Sequence, residues 1–106
     1  QSTNDSRSLA YAERAFKHAP KHPATLDSLG WVLVQRGDMA RGLKFLRMAY
    51  NRASREPEIQ YHLGVALSRM GRLNEARNQL KSALKSGKFF QGKSDARDLL
   101  KSLSEK

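Results

Sequence analysis

The chain has 106 residues, a net charge of +10 and no cysteine. That length holds one domain with a thin core, and the missing thiols exclude disulfide staples and thiolate metal sites. Hydrophobic residues at 39% and charged residues at 28% fit a globular domain rather than a disordered tail, and the longest strongly apolar run, Trp31-Val32-Leu33-Val34, is far short of the roughly 20 residues of a membrane span.

Residues 5–20 read as a helix, with Leu9, Ala12 and Phe16 on one face and Pro20 as its stop. Pro23 suits the opening turn of the next helix, where its missing N–H costs nothing. Leu26, Leu29, Gly30 and Leu33 then recur at helical spacing, and Gly37 ends the run as a left-handed cap would. Met39, Leu43, Leu46 and Tyr50 carry the stripe of a return helix. The scheme then starts again: Pro57 opens, Leu63, Gly64 and Leu67 follow, Gly71 stops, and Leu73, Leu80 and Leu84 resume. Turns this short force neighbouring helices antiparallel. Gly30 and Gly64 sit inside helices, where glycine costs about 1 kcal/mol against alanine. Close approach of a neighbouring helix is the compensation we expect.

After Leu84 the pattern changes. A polar, glycine-bounded connector, Ser86-Gly87-Lys88-Phe89-Phe90-Gln91-Gly92-Lys93, holds two aromatics expected to plug the end of the core rather than form an exposed patch. A last helix over 93–105, N-capped by Ser94, places Ala96, Leu99, Leu100 and Leu103 on one face. Apolar inward and polar outward, it reads as a terminal cap.

A shift of 34 residues aligns 23–56 with 57–90 without a gap. The identities are Pro23/Pro57, Leu29/Leu63, Gly30/Gly64, Leu33/Leu67, Gly37/Gly71, Leu46/Leu80 and Ala49/Ala83, seven where unrelated sequences give roughly 2. With this period, Leu26-x2-Leu29-Gly30-x2-Leu33 with Gly42-x3-Leu46, and Gln60-x2-Leu63-Gly64-x2-Leu67 with Ala76-x3-Leu80, resemble the tetratricopeptide repeat. Both units lack the aromatics of that pattern, and Gln60 is polar where one belongs. The resemblance implies an all-α, right-handed α-α superhelix, a TPR solenoid of antiparallel helix pairs with a C-terminal capping helix. Its parts are the second helix of a truncated repeat (5–20), two repeats (23–56 and 57–90) and the cap (93–105), in a single domain over 1–106. A missing first helix and an opening Gln1 read as a mature form or a piece of a longer array. Phe89-Phe90 followed by Ala-Arg-Asp-Leu-Leu is similar to the C-terminal end of long bacterial repeat proteins of exopolysaccharide and sorting systems. That likeness implies a bacterial origin and an envelope or periplasmic location.

The residues offer little for catalysis. His18 and His22 are four apart, but Pro20 breaks any helix that would align them on zinc, so both read as loop histidines. His62 reads as exposed to solvent or groove. Glu56, Glu58 and Asp95 stand at helix starts, where negative charge favours the dipole. No glycine-rich phosphate loop is present. We expect no enzyme, no cofactor and no metal.

Surface is what remains. Carried onto this chain, the family's groove positions are Asp27, Trp31, Val34 and Gln35 from one repeat and Glu58, Tyr61, His62, Val65, Ser68 and Arg69 from the next. Trp31 also has a packing reading, between repeats. The expected partner is a peptide segment of another protein, held in the groove to scaffold a complex. A chaperone-type carboxylate clamp is not expected, because Trp31 and Val65 stand where asparagines are wanted. Arg41, Lys44, Arg47, Arg77, Lys81 and Lys85 form a basic convex face, with Arg47 and Lys81 equivalent by the shift. The alternative function is therefore binding of an anionic polymer: a polysaccharide, a nucleic acid or an anionic membrane surface. Nucleic acid is the weakest of these, since no aromatics interleave the basic residues. Self-association through Leu9, Ala12 and Phe16 is a third expectation.

Overall fold

The computed structural model describes residues 6–105. Asp5, where the sequence reading opens the first helix, lies outside them. Six helices follow in order: α1 (Ser6–His18), α2 (Pro23–Gln35), α3 (Met39–Arg52), α4 (Pro57–Arg69), α5 (Leu73–Lys85) and α6 (Lys93–Ser104). None is long and apolar enough to cross a membrane.

The turns between paired helices are built twice from the same parts. Past the cap residue Arg36, Gly37 takes φ +92°. Its N–H reaches Val34 O at 3.0 Å, while Asp38 N–H reaches Leu33 O at 2.9 Å. At the end of α4, Gly71 takes φ +81° and bonds Ser68 O at 3.1 Å, and Arg72 N–H bonds Leu67 O at 2.9 Å. Each is a Schellman motif, which asks for a residue without a Cβ at the left-handed position. The chain reverses there and resumes a helix two residues later. Pro23 and Pro57 open α2 and α4 as expected. His22 is no idle loop residue, because its Nδ1 accepts the Ala24 N–H at 3.1 Å and caps α2.

Consecutive helices pack on one another throughout. In addition α2 touches α4 and α4 touches α6, whereas the backbones of α1, α3 and α5 stay apart. One layer therefore holds α2, α4 and α6 close together, and the other splays. That difference bends a stack of helix pairs into an α-α superhelical repeat. The interior is dominated by fully buried leucines, among them Leu26, Leu33, Leu46, Leu63, Leu67 and Leu80. A Cβ on Gly30 would lie 2.8 Å from Leu46 Cγ, and one on Gly64 2.9 Å from Leu80 Cγ. Both are packing glycines.

Three expectations change at the ends of the stack. The stripe of α1 is not free: Ala12 is buried with Leu29 and Leu33, and Leu9 and Phe16 pack beside them. Phe16 meets Phe45 edge-on at 5.3 Å. What α1 leaves outside is Tyr11, 66% exposed. In the connector only Phe90 plugs the core, while Phe89 is 84% exposed. Neighbouring side chains of an irregular segment cannot both enter one gap, and Phe90 takes the place beside Tyr61 at 5.8 Å. Finally, α6 is capped by Gly92 at φ +92°, not by Ser94, which already lies in the first turn. A Cβ at Gly92 would come within 2.4 Å of Tyr61 Cε2, so the glycine lets the connector close over that ring.

Candidate functional site

The layer of α2, α4 and α6 carries a cleft of about 470 Å³ lined by Trp31, Tyr61, Val65, Ser68, Arg69, Asp95 and Leu99. Its floor is aromatic. Trp31 stacks on His62 at 4.0 Å between ring centroids, with planes 17° apart. It also leans on Tyr61 at 5.8 Å. Behind the stack, His62 Nδ1 meets Asp27 Oδ1 at 2.7 Å, a link from α4 back to α2. A half-buried indole is thus held from beneath by a ring that is itself anchored.

Burial corrects several readings. His62 is buried, paired and covered by Trp31, so it is not a surface histidine. The half-buried Trp31 unites its two expected roles, packing between repeats with one part and lining the cleft with the rest. Tyr61 is only 7% exposed, because α6 and the connector close over α4. Its phenol is pushed above 10.0 chiefly by burial, then by the carboxylate of Asp95, with Arg69 opposing. Val34 is fully buried at 0% and cannot meet a ligand. It fills the space opposite Gly42, whose added Cβ would strike Val34 Cγ2 at 2.6 Å.

The rim is polar. Arg69 is exposed and its Nη1 reaches back to Val34 O at 3.5 Å. Ser68 Oγ donates to Val65 O at 2.9 Å. Gln35 is half-buried near the end of α2 and does not line the cleft. Asp27 opens instead onto a neighbouring acidic recess, shared with Glu56 and Glu58. Asp95 and Leu99 belong to this site and were not anticipated. Asp95 is visible in the sequence as a helix-start acid, yet nothing local says that α6 returns to face α4.

The convex basic residues are less available than their spacing suggests. Arg41 pairs with Asp38 at 3.4 Å and Arg47 with Glu75 at 3.4 Å. Arg77 turns toward α6, donating to Leu103 O at 3.1 Å and to Asn74. Lys44 lies over the Phe45 ring at 5.9 Å. Lys81 and Lys85 remain exposed. The charge equivalence of Arg47 and Lys81 therefore does not carry over into equivalent surroundings. Among the described residues, no group of three His, Asp or Glu could hold a metal ion.

A family model described as tetratricopeptide repeat matches residues 59–88, most of α4 with the whole of α5. No curated protein matches the chain.

Proposed function

From a chain that is a tetratricopeptide-repeat protein, we infer a non-catalytic module that holds a segment of a partner protein across the Trp31 cleft and so scaffolds a complex. Such repeats generally mediate protein–protein interactions. The observation that carries the finer reading is the Trp31–His62–Asp27 stack beneath an open cleft. An aromatic anchor already fixed in place binds without losing rotamer freedom, and such anchors dominate interface energies. Leu99 and Val65 supply apolar walls, while Arg69 and Asp95 put opposite charges on the rim. A partner segment with an apolar residue between groups of opposite charge fits that arrangement. On this reading residues 23–56 and 57–90 act as two repeats, with 93–105 closing the groove.

Peptides selected by display against the protein test it, with affinities compared for wild type, Trp31→Ala and Arg69→Glu. Trp31→Ala should weaken binding about tenfold or more. Arg69→Glu, at an exposed position, should change peptide choice while leaving the fold intact by circular dichroism. Ligands indifferent to both changes, but lost at high salt and with Arg47→Glu plus Lys81→Glu, would sink this reading. They would favour an anionic partner on the convex face.

A further inference from the structure

The outer helices α1, α3 and α5 leave two intervals between them, and the two are closed differently. Between α3 and α5, Arg47 reaches Glu75 at 3.4 Å, an ion pair that spans the gap. A step back of 34 residues puts Glu13 and Arg41 at the same two places with the charges exchanged. No ion pair among the described residues joins them; Arg41 turns instead to Asp38, at the start of its own helix, 3.4 Å away. A cleft of about 460 Å³ stands open between α1 and α3.

The bottom of this cleft is apolar. Phe16 of α1 and Phe45 of α3, both half-buried, meet edge-on at 5.3 Å, with the buried Leu29 beside them. The matching positions between α3 and α5 are Tyr50 and Gln79, so the phenylalanine pair has no copy there. The edge is cationic. Arg14 and Lys17 are exposed on α1, and Lys44 Nζ lies 5.9 Å over the Phe45 ring. Arg14 is stacked on Tyr11 at 5.1 Å, a contact that positions the guanidinium without neutralising it. None of these three cations has an acidic partner among the described residues, and Glu13 is the single carboxylate lining the cleft.

We propose that the cleft docks an acidic segment of a partner protein. One large apolar side chain sits against the Phe16–Phe45 pair, and flanking carboxylates meet Arg14, Lys17 and Lys44. The apolar bottom and the charged edge call for different parts of one ligand. A purely anionic polymer leaves the two rings uncovered, and a purely apolar segment leaves the cations without counter-charge. An aromatic side chain gains edge-to-face contacts with the pair in addition to its burial. The site lies in the outer layer, away from the Trp31 cleft, so both can be filled together and neither reading rests on the other.

The test is a titration followed by amide chemical shifts at constant ionic strength. The probes are a blocked peptide with one tryptophan between pairs of aspartates, the same peptide with serine for tryptophan, and the same with lysines for aspartates. The first should give saturable shifts centred on Phe16, Leu29 and Phe45. Serine should weaken binding about tenfold or more, and lysines should abolish it. Arg14→Glu with Lys17→Glu, both at exposed positions, should weaken the tryptophan–aspartate peptide by about the same factor. Ala10→Trp, also exposed and on the edge of the cleft, should fill it and block binding while circular dichroism stays unchanged. Shifts centred on Trp31 and Leu99 would send the peptide to the other cleft and overturn the proposal. Equal binding of the tryptophan and serine peptides would reduce the surface to charge alone and overturn it too. So would indifference to the Arg14, Lys17 and Ala10 changes. Shifts at Phe16 and Phe45 that grow with protein concentration alone would give the cleft to a second copy, against this assignment.

Discussion

The two helix pairs share a period and a turn, yet they cross at different depths. In the first, Gly30 of α2 faces Gly42 of α3. A Cβ on either would lie 3.0 Å from the other's carbonyl oxygen, so two backbones meet. In the second pair Ala76 stands where Gly42 does, and a Cβ on Gly64 would lie 3.5 Å from Ala76 O. There the crossing is opened by one methyl group, and the remaining tight contacts are with the Leu80 side chain at 2.9 and 3.0 Å. Surroundings differ as well. Every residue of α4 from Ile59 to Leu67 is buried, because α2, α3, α5 and α6 all pack on it. The outer face of α2 has no such cover, and Trp31 stays half-exposed there. The same repeat thus yields a central helix and a marginal one, and the cleft forms along the margin.

Alanine at the glycines breaks this comparison most sharply. Overpacking costs roughly 1–3 kcal/mol, against a helix-propensity gain of about 1 kcal/mol. In the first pair the obstacles include backbone atoms, which cannot turn aside. We expect Gly42→Ala and Gly30→Ala each to lower stability by about 2 kcal/mol in urea unfolding. In the second pair the obstacle is the Leu80 side chain, which is fully buried but can shift where a backbone cannot, so Gly64→Ala should cost less, about 1 kcal/mol. Equal losses at Gly30 and Gly64 would show that the two crossings are alike after all.

The next effect concerns the link between pairs. His62 and Asp27 have side chains only 7% and 13% exposed and meet at 2.7 Å. Their counterparts by the 34-residue shift include Ser28 and Tyr61, so no second copy of the link exists. Asp27→Ala leaves a buried imidazole nitrogen without its partner, which costs about 1–2 kcal/mol. Asp27→Asn keeps an oxygen at the same place and should cost less. The near-ultraviolet dichroism of Trp31 should weaken in the alanine variant, because the ring beneath it is no longer held. An unchanged signal with unchanged stability would remove the stack from the account of the site.

Where the chemistry is local, the sequence discloses it. Gly37 and Gly71 record left-handed turns, Pro23 and Pro57 record helix starts, and Gly30 and Gly64 record a helix that comes too near for a side chain. Repetition makes these marks readable twice, so the order of the helices follows. The site is less legible because it depends on how pairs stack. His62 finds Asp27 across 35 residues, a pairing that no period announces. Tyr61 is buried by α6, whose return rests on Gly92 and on Phe90, not Phe89, entering the core. Asp95 and Leu99 come to the cleft by the same route. Val34 shows the opposite failure, since a position that faces the groove in a generic repeat is here absorbed by the glycine crossing beside it.

The smallest effect asks whether α4 is truly the covered helix. The Tyr61 phenol is raised above 10.0, first by burial and then by Asp95, with Arg69 opposing. A raised value means that the unfolded chain loses this proton at lower pH than the folded one. Stability from the neutral phenol is therefore complete below about pH 10 and drains away as pH climbs through the folded value. Tyr61→Phe removes the titration while keeping the ring against Trp31 and Phe90. Compared from pH 9 to 11 by thermal unfolding, wild type should lose more than the variant, the gap opening only above about pH 10. Lysines titrate in the same range in both proteins, so only the difference between them counts. Parallel curves would mean that the phenol reaches water in the folded state and that α6 does not close over α4. An opening gap would set Tyr61 in the covered helix, and leave Trp31 as the aromatic available to a partner.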